Sequence, residues 1–143
     1  MKIKPFLRIV PVFLFLAGCT SKKKDPSAKF DNLSQYQAYI SEVSHGIISA
    51  KSDVRVLLNQ PVESWNKGDE LSKGLLRVSP NTKGKVVALD DRTIAFMPEK
   101  GFKQDTEYRF TLDLGDIVSD VPKELKTLTF GIKTLKQQFN VYT

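Results

Sequence analysis

The sequence predicts an all-β fold: an immunoglobulin-like antiparallel β-sandwich of about seven strands, preceded by a signal peptide and a flexible tether. Three observations carry this expectation. From Tyr39 onward apolar residues recur at period two rather than at the helical period of about 3.6. Pro, Gly, Asn and Asp punctuate the apolar runs, as turns between short strands require. Taking the first 18 of the 143 residues away as a leader leaves 125, which suits one domain with one core.

The leader is the first element to justify. Lys2, Lys4 and Arg8 give a positive start, Ile9 to Ala17 form an apolar run broken only by Pro11, and the small residues Ala17 and Gly18 stand before Cys19. That is the three-part plan of a secretory signal peptide. The run is well short of the roughly 18 residues needed to cross a bilayer. Leu16-Ala17-Gly18-Cys19 is similar to the lipobox of bacterial lipoproteins. The resemblance implies cleavage between Gly18 and Cys19, a thioether from the Cys19 sulfur to diacylglycerol, and acylation of the new amino terminus. Two or more acyl chains make membrane attachment stable where one does not. The alternative, a buried structural cysteine, fits poorly because residues 1–18 read badly as part of a core. Cys19 is the only cysteine, so no disulfide is available and stability rests on packing. No cofactor is expected beyond the lipid on Cys19.

Removing Lys2, Lys4 and Arg8 from the 22 basic residues leaves 19 against 16 acidic ones, a net +3 that Lys22, Lys23 and Lys24 account for. The folded part is therefore near neutral, and its charge gives no warrant for nucleic-acid binding. Thr20 to Asn32 is polar and aperiodic, and residues 19–35 read as lipid anchor and tether. Phe30, Leu33 and Tyr36 have the spacing of a single helical turn.

The sandwich is placed at 36–136, with strands at about 40–48 (broken at Gly46), 53–59, 72–79, 84–89, 92–97, 107–114 and 126–134. Val54, Val56 and Leu58 alternate with Asp53, Arg55 and Leu57, and the run halts at Asn59-Gln60-Pro61. In G-K-V-V-A-L-D-D-R-T-I-A-F-M-P the pair Asp90-Asp91 is expected to form a two-residue hairpin link. Tyr108, Phe110, Leu112 and Leu114, then Leu128, Phe130 and Ile132, mark two half-buried antiparallel strands.

Catalytic and metal readings find little. His45 is the only histidine, and no G-x-S-x-G or comparable nucleophile setting occurs. Asp113, Asp116 and Asp120 invite a calcium hypothesis, but their spacing lacks the D-x-D-x-D-G loop, and aspartates between strands are commonly turn formers. Trp65, in the polar stretch E-S-W-N-K-G-D-E, is either a contact for a partner or glycan or a cap on one end of the core. The cap is favoured, since a small domain has few large side chains to spare.

The run D-R-T-I-A-F-M-P from Asp91 to Pro98, Phe102, and T-E-Y-R-F-T-L from Thr106 to Leu112 resemble a bacterial immunoglobulin-like domain pattern, in which Tyr108 would bond back across the preceding corner. Y-I-S-E-V-S-H-G-I-I-S from Tyr39 to Ser49, V-P-K-E-L-K-T-L-T-F from Val121 to Phe130 and Q-Q-F-N-V from Gln137 to Val141 are similar to the first domain of lipid-anchored bacterial alpha-2-macroglobulins. That resemblance implies a membrane-tethered protease trap in the periplasm, with residues 137–143 starting a linker to a further domain or forming a tail. The thioester of such traps needs a cysteine in a C-x-E-Q setting, which Cys19 does not provide. The resemblance thus yields a non-catalytic scaffold for an inhibitor, bound to the lipid membrane through Cys19, to later domains of the same polypeptide, and to proteases only through downstream regions. The alternative is an immunoglobulin-like lipoprotein that binds a cell-envelope polymer or surface glycan. Surface-exported lipoproteins of Bacteroidota tend to carry acidic residues soon after the cysteine; Lys22, Lys23 and Lys24 are basic instead, and by that resemblance the periplasmic face is implied.

Overall fold

A computed structural model describes residues 33–137; the leader, Cys19 and residues 138–143 lie outside the described part. Eight strands form: β1 (Ile40–Val43), β2 (Gly46–Ile48), β3 (Val54–Leu58), β4 (Leu76–Ser79), β5 (Gly84–Ala88), β6 (Thr93–Pro98), β7 (Glu107–Asp113) and β8 (Thr127–Thr134). They make two four-stranded sheets, β1-β3-β6-β5 and β2-β8-β7-β4. All neighbours are antiparallel except β2, which runs parallel to β8. This is the strand order of a constant-type immunoglobulin sandwich, with a first strand divided between the sheets.

That division is why eight strands replace the expected seven. Val43 is buried in one sheet, and Gly46, with φ +71°, adopts a left-handed backbone that turns the chain across to the other. The 72–79 run shortens to β4 because Leu75 N–H bonds back to Ser72 O and closes a turn. The β5–β6 hairpin is also wider than a two-residue link. Leu89 N–H donates to Thr93 O, so Asp90, Asp91 and Arg92 form the loop. No glycine follows the aspartates to take the positive φ of a tighter turn. Instead the Asp90 carboxylate accepts Arg92 N–H, Thr93 N–H and the Thr93 hydroxyl, at 2.7–2.9 Å.

Alternation builds the core. In β7 and β8 every second side chain is buried, giving Tyr108, Phe110 and Leu112 opposite Ile132, Phe130 and Leu128. Val54, Val56, Ile94, Phe96 and Val86 face them from the other sheet. Phe110 stacks on Phe130 with ring centroids 5.4 Å apart and meets Phe96 edge-on at 5.7 Å. Each such side chain contributes about 1.5–3 kcal/mol by burial. The outer edge of β5 is covered by residues 68–71, through Gly68 N–H to Ala88 O, Ala88 N–H to Asp69 O and Leu71 N–H to Val86 O. This removes one open edge that would otherwise pair with another chain.

The two ends of the sandwich differ in what they carry. A 3-10 turn over residues 33–36 packs Leu33 and Tyr36 on the core, and the Tyr36 hydroxyl donates to Thr127 O at 2.7 Å. The amino-terminal segment therefore enters at the end where β8 begins and β7 finishes. The opposite end carries the 80–83 and 99–106 connections, about 20 Å away along β7 at roughly 3.3 Å per residue.

Candidate functional site

The end opposite the amino-terminal entry is built on a pinned corner. Tyr108 opens β7, and its hydroxyl accepts the Lys103 backbone N–H at 2.9 Å, as the tyrosine-corner expectation requires. The Lys103 carbonyl accepts the hydroxyl of Thr134 at 2.5 Å, and the same hydroxyl accepts Thr106 N–H at 3.0 Å. Thr134, the only buried polar residue among those described, thereby ties the 103–106 segment to β8. Phe102 N–H donates to Ala50 O at 2.7 Å, and Gly101, at φ +81°, allows that approach, because a Cβ there would stand 2.9 Å from Ala50 O. Glu99 N–H donates to Lys83 O at 2.9 Å and joins the two connections.

This frame encloses a cleft of about 330 Å³ lined by Pro80, Asn81, Thr82, Lys83, Glu99, Lys100, Gly101, Lys103 and Tyr108. The Lys83, Lys100 and Lys103 side chains are exposed and make no ion pair among the described residues; Glu99 is the single acid in the lining. A second cleft of about 340 Å³ lies across the Asn81-Thr82 step, where the β4 and β5 edges part. Its floor is Leu76, Val78, Val86 and Phe96, and Lys73 stands on its rim. Gly84 keeps that floor open: a Cβ there would be 2.5 Å from Met97 O and 2.7 Å from the Phe96 ring. Arg77 also lines this cleft, but its guanidinium is engaged by Asp113 at 3.0 Å. The chemistry on offer is attraction of an anion by solvated ammonium groups, with hydrogen bonding from an amide, a hydroxyl and a carboxylate.

Apart from Tyr108, the residues singled out from sequence lie elsewhere. Gly18 and Cys19 fall outside the described residues. Trp65 is half-buried and its side chain packs against the core, while its backbone N–H donates to Val62 O within the 59–75 connection, at the end where the amino-terminal segment enters. His45 is exposed on the β1–β2 link, with Nδ1 3.1 Å from Val43 O. Asp113 closes β7 and is occupied by Arg77. Sequence reasoning missed the clefts, because their lysines come from three connections that only the strand pairing brings together. The sole linear signal is one lysine in P-N-T-K and two in E-K-G-F-K, the stretches that flank β5 and β6.

No known family matches the chain, and no curated protein does. Solved structures similar to it include L,D-transpeptidase 3 from Mycobacterium tuberculosis bound to a faropenem-derived adduct, at TM-score 0.44 and 14% identity over 70% of this chain and 39% of that one. Another is an L,D-transpeptidase from Mycobacterium tuberculosis H37Rv, at TM-score 0.44 and 12% identity over 68% and 40%. A third is an L,D-transpeptidase from Mycobacterium smegmatis, at 0.47 and 10% identity over 68% and 39%. This chain spans about two-fifths of each. At TM-scores below 0.5 these likenesses assign neither activity nor substrate.

The resemblance to alpha-2-macroglobulins is corrected by these findings: no family model and no curated protein supports it. The stretches that suggested it have a simpler cause. Y-I-S-E-V-S-H-G-I-I-S holds β1 and β2, V-P-K-E-L-K-T-L-T-F holds a 3-10 turn and the start of β8, and Q-Q-F-N-V falls outside the described residues after Gln137. Any immunoglobulin-like sandwich needs such alternation to fill its core. The reading as a scaffold for a protease inhibitor falls with the resemblance.

Proposed function

We propose that this chain is a non-catalytic lipoprotein of the bacterial cell envelope, anchored through acylated Cys19 on the periplasmic face, whose sandwich binds an anionic envelope polymer. The supporting observation is the placement of Lys83, Lys100 and Lys103 around one cleft, on the end of the sandwich remote from the Tyr36 entry. Three lysines lining one concavity raise the local concentration of anions, and the effect weakens as salt shortens the screening length. The tether would leave the sandwich at the Tyr36 end, opposite the basic cleft. The lipobox-like Leu16-Ala17-Gly18-Cys19 supports the anchor.

Two variants test the two halves separately. Cys19→Ser is expected to move the protein from the membrane fraction to the soluble fraction; unchanged retention would overturn the anchor. The triple charge reversal Lys83→Glu, Lys100→Glu, Lys103→Glu is expected to weaken binding of an acidic polysaccharide by about tenfold or more, as loss of close charge complementarity does. Equal binding by the triple variant would overturn the assignment of the cleft.

A further inference from the structure

The two clefts are neighbours that share Asn81 and Thr82, yet they offer different chemistry. One is cationic, the other has a floor of Val78, Val86 and Phe96. Each is near the lower end of the roughly 300–1,000 Å³ range of ligand pockets. A compact anion would use only the lysines and leave the second cleft without a role. A densely charged chain would meet Glu99 among those lysines, and like charges repel. A sugar acid suits both features. Its carboxylate takes the lysines, a hydroxyl donates to Glu99, and the C–H face of the next ring covers the apolar floor, with hydroxyls toward Asn81 and Thr82. Pockets that combine an apolar surface with a few placed polar groups orient ligands in this manner.

We propose that the ligand is an acidic glycan carrying about one charge per sugar, laid across both clefts, so that recognition needs at least two consecutive sugar units. This deepens the anion-binding reading above and rests on it. Lys73, exposed on the rim of the second cleft and without an ion-pair partner among the described residues, would meet the charge of the second unit.

The test is calorimetric titration of the full chain in detergent micelles with galacturonic acid and its oligomers up to the hexamer. Maltohexaose, inorganic polyphosphate and phosphatidylglycerol vesicles serve as competitors of other chemistry. Affinity is expected to rise about tenfold or more from monomer to tetramer, since contiguous subsites bind as one. Lys73→Glu is expected to remove that gain, and Lys100→Gln to weaken monomer and oligomer binding alike. Length-independent binding, or preference for polyphosphate or vesicles, would overturn this inference while leaving an anion-binding cleft in place. Failure of the wild-type chain to bind any of the anions would instead overturn the reading on which it rests.

Discussion

The Tyr108 hydroxyl holds the Lys103 backbone N–H at 2.9 Å across the corner that enters β7, while the Tyr108 ring packs 4.8 Å from Phe102. One side chain thus sets both the core at that end and the backbone from which a cleft lysine projects. Tyr108→Phe keeps the ring and removes the acceptor. The variant is expected to lose about 1–2 kcal/mol, the usual cost of stranding a part-buried N–H. Chemical denaturation measures the loss, and amide exchange at Lys103 should quicken more than exchange in β8.

Tyr36 gives an alkaline signature. Burial pushes its hydroxyl above the ordinary tyrosine range. The folded state therefore favours the neutral phenol that donates to Thr127 O. This contribution is fully present below the unfolded tyrosine pKa, near 10, and is lost as pH rises through the higher folded value. Melting temperature followed from pH 8 to 11 is expected to fall less steeply for Tyr36→Phe than for the wild type. Parallel curves would contradict the placement of Tyr36.

Asp90 gives the acid counterpart. The Arg92 N–H, followed by the Thr93 hydroxyl, holds its carboxyl below the ordinary aspartate range. Its stabilisation is present above the unfolded pKa and disappears as pH falls through the lower folded value. Asp90→Ala is expected to lower the melting temperature by a few degrees at neutral pH, with the difference shrinking in acid. A constant difference across pH would show that the carboxylate charge plays no part in the hairpin.

Gly84→Ala probes the second cleft. The added Cβ would meet the Met97 carbonyl at 2.5 Å, and a backbone atom cannot step aside as a flexible side chain can. The substitution is expected to destabilise the sandwich by about 1–3 kcal/mol, the range of overpacked cores. A neutral result would mean that β5 and β6 lie farther apart at this point.

Much of the fold was legible because alternation is a local property. Val54-Val56-Leu58 and Tyr108-Phe110-Leu112 state their buried faces without knowledge of any partner strand. The corner role of Tyr108 was legible for the same reason, since its acceptor site serves a donor only five residues upstream. What escaped was non-local. The crossing at Gly46 depends on β2 finding β8, more than 80 residues later. Thr134 reads as one more strand threonine until pairing sets it against Lys103 and Thr106. The clefts escaped entirely, because Lys83 and Lys100 become neighbours only when β5 and β6 close their hairpin. The macroglobulin resemblance failed for a related reason: two of the stretches that carried it hold β1, β2 and the start of β8, whose alternation sandwich packing demands of unrelated chains.

The central claim is that the cationic cleft remote from the tether binds an acidic envelope polymer, and retention on that polymer tests it most directly. Full chain extracted from membranes in detergent would be passed over lipid-free insoluble envelope material from the source cells and eluted with a rising salt gradient. Salt-dependent retention of the wild type, with the Lys83→Glu, Lys100→Glu, Lys103→Glu variant eluting at the lowest salt, is the predicted result. Identical elution of the two proteins would contradict the account.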